Sequence, residues 1–300
     1  MKKALSVAAL AFALTGSALA ADLPSYKAPP PPLLPPPPLW AGFYVGLNAG
    51  GTWGNNNNIY VTSVPIFRAP GVPGAVLFSN AAALGGTGVF SSNAAGFIGG
   101  GQIGYNWQFY GGKLVAGVEA DIQGIAYSNN NRNYIAAVPA IGPFSVVTAM
   151  SARKSLDYLG TVRGRLGWLF TPTLLAYGTG GLAYGGVNLN VAGFQGVTPD
   201  FPPFATIGFP GGSFSDTRVG WTAGGGLEWM FMPQWSAKVE YLYYDLGSVR
   251  TPGGLTTRTF AGALLWANAT EVSARFNGNI VRAGVNYHFN WGAAPIVAKY

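Results

Sequence analysis

The triplet Trp107-Gln108-Phe109 returns as Trp168-Leu169-Phe170, Trp229-Met230-Phe231 and Tyr287-His288-Phe289, at spacings of 61, 61 and 58 residues (107 to 168, 168 to 229, 229 to 287). Three copies extend backwards to Gly-x-x-aromatic-x-Phe, through Gly104, Gly226 and Gly284. In a strand, residues two apart share a face, so each copy sets two rings side by side near a strand end. Rings placed that way four times suggest a girdle at a membrane–water interface, and with it a transmembrane β-barrel.

Composition points the same way. Only 9% of residues are charged while 49% are hydrophobic, whereas soluble domains carry about a quarter charged residues. The 45 glycines argue against helices, where each costs about 1 kcal/mol. The start has the form of an export signal: Lys2 and Lys3, an apolar run from Ala4 to Leu14, then Ala18-Leu19-Ala20 at the cleavage positions. No later stretch approaches the run of about 20 apolar residues that a membrane helix needs. Cysteine is absent, which excludes disulfides and thiolate metal sites. The formal charge of +7 becomes +5 without Lys2 and Lys3. Its cations are scattered, which speaks against nucleic-acid binding.

From Pro29 to Pro38 eight of ten residues are proline, an extended polyproline II segment that can enter neither sheet nor core. It reads as a periplasmic spacer or, alternatively, as a docking ligand. Eight segments of strand character follow, at about 40–52, 96–109, 113–127, 155–170, 174–190, 218–230, 235–246 and 279–289. Each supplies the 9–11 residues of a tilted membrane strand. Tight turns at 110–112, 171–173 and 231–234 alternate with long stretches at 53–95, 128–154, 191–217 and 247–278, rich in Asn, Gly, Pro, Ser and Thr. Outer-membrane barrels show that pattern, short turns on the periplasmic side and long loops outside. The expected fold is therefore all-β: an eight-stranded antiparallel transmembrane β-barrel over 40–289. Residues 1–20 precede it as signal peptide and 21–39 as spacer, and 290–300 follow as a tail. Trp107, Phe109, Trp168, Phe170, Trp229, Phe231, Trp235, Tyr287 and Phe289 would form the periplasmic girdle, reinforced by Trp40 and Phe43.

Alternation assigns the charges. A lipid-facing Arg or Lys at mid-depth costs about 2–4 kcal/mol, so charged faces must point inward. The expected lumen set is Lys113, Arg163, Arg165, Arg218, Lys238 and Arg282 against Glu119, Asp121, Asp157, Glu228 and Glu240. Six cations facing five anions in an eight-stranded interior would either pair into a plug or line a narrow aqueous path, since unpaired buried charges cost several kcal/mol each. Enzymatic readings find little: His288 is the only histidine and lies at the periplasmic end, where lumen hydrogen bonding suits it better than catalysis. No cofactor or metal is expected. The loop cations Arg68, Arg132, Arg153, Lys154, Arg250, Arg258 and Arg275 outnumber Asp200, Asp216 and Glu271 by four. Of these, Arg132, Arg153, Lys154 and Arg258 are candidate contacts for lipopolysaccharide phosphates, unless they are simply solvated.

The final strand, Arg282-Ala-Gly284-Val-Asn-Tyr287-His-Phe289, resembles the C-terminal signal by which barrels are handed to the barrel-assembly machinery: a polar residue, Gly, a hydrophobe and a last aromatic. Here Asn290–Tyr300 follows it, so the signal works internally or the tail adds periplasmic contacts. The opening strand, Trp40-Ala-Gly42-Phe43-Tyr44-Val45-Gly46-Leu47-Asn48-Ala49-Gly50, resembles that of the small outer-membrane immunogenic proteins of alphaproteobacteria, OmpA-like eight-stranded barrels often labelled a porin family. The resemblance implies location in the outer membrane and a structural, envelope-integrity and surface role, with a narrow porin as the alternative. It leaves the oligomeric state open.

Overall fold

The computed structural model describes residues 39–91, 95–109, 111–127, 131–199, 204–208 and 210–289. The expected signal peptide, all but the last residue of the spacer, and the tail lie outside the described residues. The described chain forms β1 (Gly42–Gly54), β2 (Asn58–Arg68), α1 (Pro73–Gly86), β3 (Gly88–Ser91), β4 (Ala95–Phe109), β5 (Leu114–Tyr127), β6 (Arg132–Ile141), β7 (Phe144–Thr171), β8 (Leu174–Thr198), β9 (Phe204–Gly208), β10 (Gly212–Met232), β11 (Trp235–Phe260) and β12 (Ala263–His288). The strands join one antiparallel sheet arranged in two tiers.

In the first tier the pairing closes on itself: β1 with β4, β4 with β5, β5 with β7, β7 with β8, β8 with β10, β10 with β11, β11 with β12, and β12 back to β1. This ring has no free edge, the condition for a sheet to exist in lipid. Its outward positions include Val45, Leu47, Ile103, Val118, Ile122, Val162, Leu166, Leu182, Leu227, Val239, Val281 and Val285, all exposed. Every girdle aromatic named from sequence points outward, from Trp107 and Phe109 through Trp235 to the half-buried Tyr287 and Phe289. Trp40 is the exception among the rim residues, turning inward and fully buried.

A second aromatic row lies ten residues further along the strands: Trp53 against Phe43, Phe97 against Trp107, Tyr158 against Trp168, Trp221 against Phe231. Ten residues at about 3.3 Å, tilted by about 40°, span roughly 25 Å. That is the height of the apolar band of an outer-membrane barrel. Two rows at that separation bracket the hydrocarbon.

The second tier corrects the expected loops. Strands β7, β8, β11 and β12 run 25 to 28 residues, more than twice what the hydrocarbon needs, and continue beyond the ring. There they take new neighbours: β6 joins β7, β9 joins β8 and β11, and β2 joins β12, with β3 on β2. The resulting sheet runs β3-β2-β12-β11-β9-β8-β7-β6 around α1, which packs on β2, β6, β7 and β12. Its edges approach where Arg132 Nε donates to the Ser91 carbonyl at 3.1 Å and Phe90 meets Tyr134 edge-on. Helix α1 forms where Pro73 pre-sets the first turn and an alanine-rich run follows. Prolines inside these strands misled the sequence reading. Pro65, Pro139 and Pro252 each sit at a register shift, where a residue without an N–H breaks no regular ladder.

Candidate functional site

The interior of the ring holds eight charged residues at one level, on β5, β7, β10, β11 and β12. Arg163 reaches Glu119 at 2.5 Å, Asp121 at 2.8 Å and Glu240 at 2.9 Å. Arg282 bonds Glu240 at 2.5 Å and Asp121 at 2.9 Å. Lys238 sits 2.9 Å from Glu119, and Arg165 sits 2.6 Å from Glu228. Four cations face four carboxylates, and all eight side chains are at most 2% exposed. Isolated charges could not be held there; mutual pairing with further hydrogen bonds is what makes the burial tolerable.

Those further bonds come from neutral residues outside the expected charged set. Tyr44 donates to Glu119 at 2.7 Å and accepts from Arg165 at 3.0 Å. Tyr177 donates to Glu240 at 3.0 Å, and its ring lies 4.2 Å from the Arg165 guanidinium. Thr161 donates to Asp121 and accepts from Arg163 Nε, and Asn286 donates to Glu228 at 2.7 Å. The parity of β1 pointed at Tyr44, which alternates against the outward Phe43, Val45 and Leu47. Tyr177 lies on β8, whose glycines hide its alternation. Gly104 makes room for the cluster, since a Cβ there would sit 2.3 Å from the Tyr44 ring.

Three expected lumen residues stand outside the cluster. Lys113 is exposed in the tight turn after β4. Asp157 is exposed and accepts from Asn188; a register shift between Leu156 and Leu159 reverses the phase of β7. Below that bulge the odd residues 159, 161, 163 and 165 are buried; above it the even residues 150, 152, 154 and 156 are. Arg218 keeps the inward phase of β10 but lies beyond the cluster's level, half-buried and donating to the Ser248 carbonyl at 3.3 Å.

Apolar layers close the cluster on both sides. At the tight-turn end Trp40, Val115, Leu169, Leu175, Tyr177 and Met230 pack together. Trp40 Nε1 donates to the Pro172 carbonyl at 2.9 Å, and its ring meets His288 edge-on. Toward the second tier lies a larger layer that includes Ile98, Leu159, Leu189, Leu242, Tyr244, Phe276 and Ile280. At the far end α1 seals the sheet through Ala75, Ala81 and Ala82 against Val146, Val197 and Trp266. There Ser79 and Asn268 exchange hydrogen bonds, and Gln195 donates to Ala82 and Thr148.

His288 is buried, with Nε2 2.9 Å from Ser236 Oγ. The Ser236 hydroxyl gives its single proton to Glu228 at 2.6 Å, so Nε2 of His288 must be the donor. The serine oxygen is thus not activated as a nucleophile, and it is fully buried. In the final strand, Arg282 belongs to the cluster, Gly284 lies close against the Leu47 carbonyl of β1, and the Phe289 N–H donates to the Phe43 carbonyl at 2.8 Å. The motif that resembles an assembly signal is also the seam of the ring.

The four candidate lipopolysaccharide contacts divide. Arg132 and Arg153 are exposed on the second tier. Lys154 and Arg258 are buried there, which removes them from that role. Lys154 Nζ donates to the carbonyls of Asn56 at 2.8 Å and of Arg275, and lies 4.9 Å from the Phe276 ring. Burial lowers its pKa to about 8. Arg258 lies over the Phe78 ring of α1. The bulge in β7 explains Lys154, because it puts the even residues inside.

A family model described as "Outer membrane protein beta-barrel domain" matches residues 6–289. The chain is 30% identical over 289 residues to a 31 kDa outer-membrane immunogenic protein of Brucella melitensis, covering 96% of this chain and all of that one. It is 31% identical over 172 residues to a 22 kDa outer membrane protein of Rhizobium leguminosarum, covering 55% of this chain and 63% of the relative. Among solved structures, OprG from Pseudomonas aeruginosa matches with 11% identity and a TM-score of 0.34, covering 83% of this chain and 97% of that one; a likeness so distant bears on nothing further. The apolar ring, the paired aromatic rows and these relatives agree: the chain belongs to the outer-membrane β-barrel protein family, in the outer membrane of a Gram-negative bacterium.

Proposed function

We propose that the protein is a closed, non-enzymatic eight-stranded transmembrane barrel with a structural and surface-interaction role. In this reading the tight turns face the periplasm and the second tier stands outside the cell. The observation that carries it is the stratified interior: a neutral set of four cations and four carboxylates, at most 2% exposed, between apolar layers on either side. A water-filled pore needs solvated charges along a continuous path, and each layer interrupts one. The alternative, a narrow porin for small solutes, gains no support from so well paired a lumen. Planar-bilayer recording tests the reading. Purified protein should give low or sporadic current, and a large steady conductance that changes in an Arg163→Gln variant would overturn it.

Surface protease on intact cells tests the orientation, since cleavage should fall only within the second tier. Arg132 and Arg153, exposed outside the ring, support contact with the anionic outer leaflet.

A further inference from the structure

Just beyond the second aromatic row, on the outer face of β7 and β8, is a cleft of about 500 Å³, within the roughly 300–1,000 Å³ of small-ligand sites. Its side chains come from the register pairs Arg153–Asn190 and Ser155–Asn188, with Ser151, Asp157 and Asn131 completing the wall. The same bulge that buries Lys154 turns Ser151, Arg153, Ser155 and Asp157 outward. Beneath them stand Tyr158 of the aromatic row and Tyr184, which pairs in register with Gly160, with the Tyr158 hydroxyl 2.8 Å from Thr217 Oγ1. The cleft therefore opens at the height of the lipid headgroups.

Its chemistry is uneven in a useful way. Arg153 supplies one forked cation, suited to two phosphate oxygens. Among the described residues of the wall Asp157 is the one carboxylate, held by Asn188 Nδ2 at 2.7 Å, and a carboxylate is suited to accept hydrogen bonds from hydroxyls. The remaining amides and serine hydroxyls both donate and accept. A bare phosphate would use the arginine alone; a neutral sugar would leave it idle. We propose that this cleft binds a phosphorylated sugar ring of an outer-leaflet glycolipid, with Arg153 on the phosphate and Asp157, Asn188 and Asn190 on ring hydroxyls. The proposal rests on the outward placement of the second tier and names the ligand class for the surface role.

The test uses full-length protein folded into phosphatidylcholine nanodiscs and titrated with purified lipopolysaccharide or, separately, with glucosamine 1-phosphate. Variants Arg153→Gln and Asp157→Asn/Asn190→Ala should each weaken lipopolysaccharide capture at least tenfold. Arg250→Gln, in a second cleft between β2, β11 and β12, should leave it unchanged. Heat-dependent gel mobility confirms that each variant is folded. If all variants capture lipopolysaccharide like the parent, the cleft is the wrong site and the surface role stands. If the parent captures neither lipopolysaccharide nor the sugar phosphate, both ideas fall. Capture of the soluble sugar phosphate alone would overturn the lipid source.

Discussion

Replacing Arg163 by Met tests whether the charged cluster is a dry, balanced unit. The guanidinium holds three carboxylates, at 2.5, 2.8 and 2.9 Å. None is left alone when it goes: Glu119 keeps Lys238, while Asp121 and Glu240 keep Arg282. The variant thus buries one surplus negative charge rather than three orphans. Removing one partner of a buried ion pair costs about 3–5 kcal/mol, and that range, not its triple, is the expected loss. Adding Asp121→Leu restores three against three. The double variant should regain about 2 kcal/mol, with the rest withheld because Thr161 loses both the bond it gives and the bond it receives. The assay is urea unfolding of the barrel folded into phospholipid vesicles, followed by tryptophan fluorescence and gel mobility. A single variant within about 1 kcal/mol of the parent would mean that the cluster is hydrated, and the closed-lumen argument would fail. A double variant with simply additive losses would refute charge balance as the organising term.

Three further outcomes follow from the same geometry. Gly104→Val should destabilise by about 1–3 kcal/mol, because its Cβ would meet the Tyr44 ring at 2.3 Å, whereas the outward Gly101→Val, whose nearest neighbour is 3.8 Å away, should fold normally; equal effects in vesicle unfolding would contradict the assigned faces. Trp40→Ala should cost about 3–5 kcal/mol without opening a conductance, since the apolar layer beyond the cluster remains; a steady bilayer current would show that Trp40 alone is the seal. Lys154 has its pKa lowered from 10.5 to about 8 by burial, so between those values the unfolded chain binds the extra proton and stability rises with pH by up to about 3 kcal/mol. Unfolding midpoints of the parent should climb relative to those of Lys154→Met over that window, and parallel curves would sink the assignment.

The first tier was legible because lipid enforces a simple rule. A charge on the outer face costs kilocalories, so alternation along β5, β7, β10, β11 and β12 had to separate Glu119, Asp121, Arg163, Arg165, Glu228, Lys238, Glu240 and Arg282 from their aliphatic neighbours. Strand ends near the tight turns were legible through the aromatic repeat. The register that joins Arg163 to three carboxylates was not, because pairing partners 40 to 80 residues apart leave no local trace. Nor was Trp40's inward turn, since an aromatic beside a strand end serves a rim or a stopper equally well.

Beyond the second aromatic row that rule lapses, and so did the reading. Water tolerates polar and apolar residues alike on an outer face, as the exposed Ile135 and Ile66 beside Arg132 and Arg68 show, so alternation weakens although the strands continue. The bulge at 157–158 matters most, because it lies at the junction of the two tiers. By reversing the phase of β7 it sends Lys154 inside to the carbonyls of Asn56 and Arg275, and brings Arg153 and Asp157 out onto one wall. A bulge inserts one residue and changes the side of every residue beyond it, so the parity of 161–165 carried straight along β7 put Asp157 in the lumen, the reverse of its place, while Lys154, read as a loop cation at the surface, lies inside on the continued strand. The same local irregularity links the apolar filling of the second tier to the polar cleft on its outer face. A variant that deletes Asp157 to straighten β7 should disturb both at once.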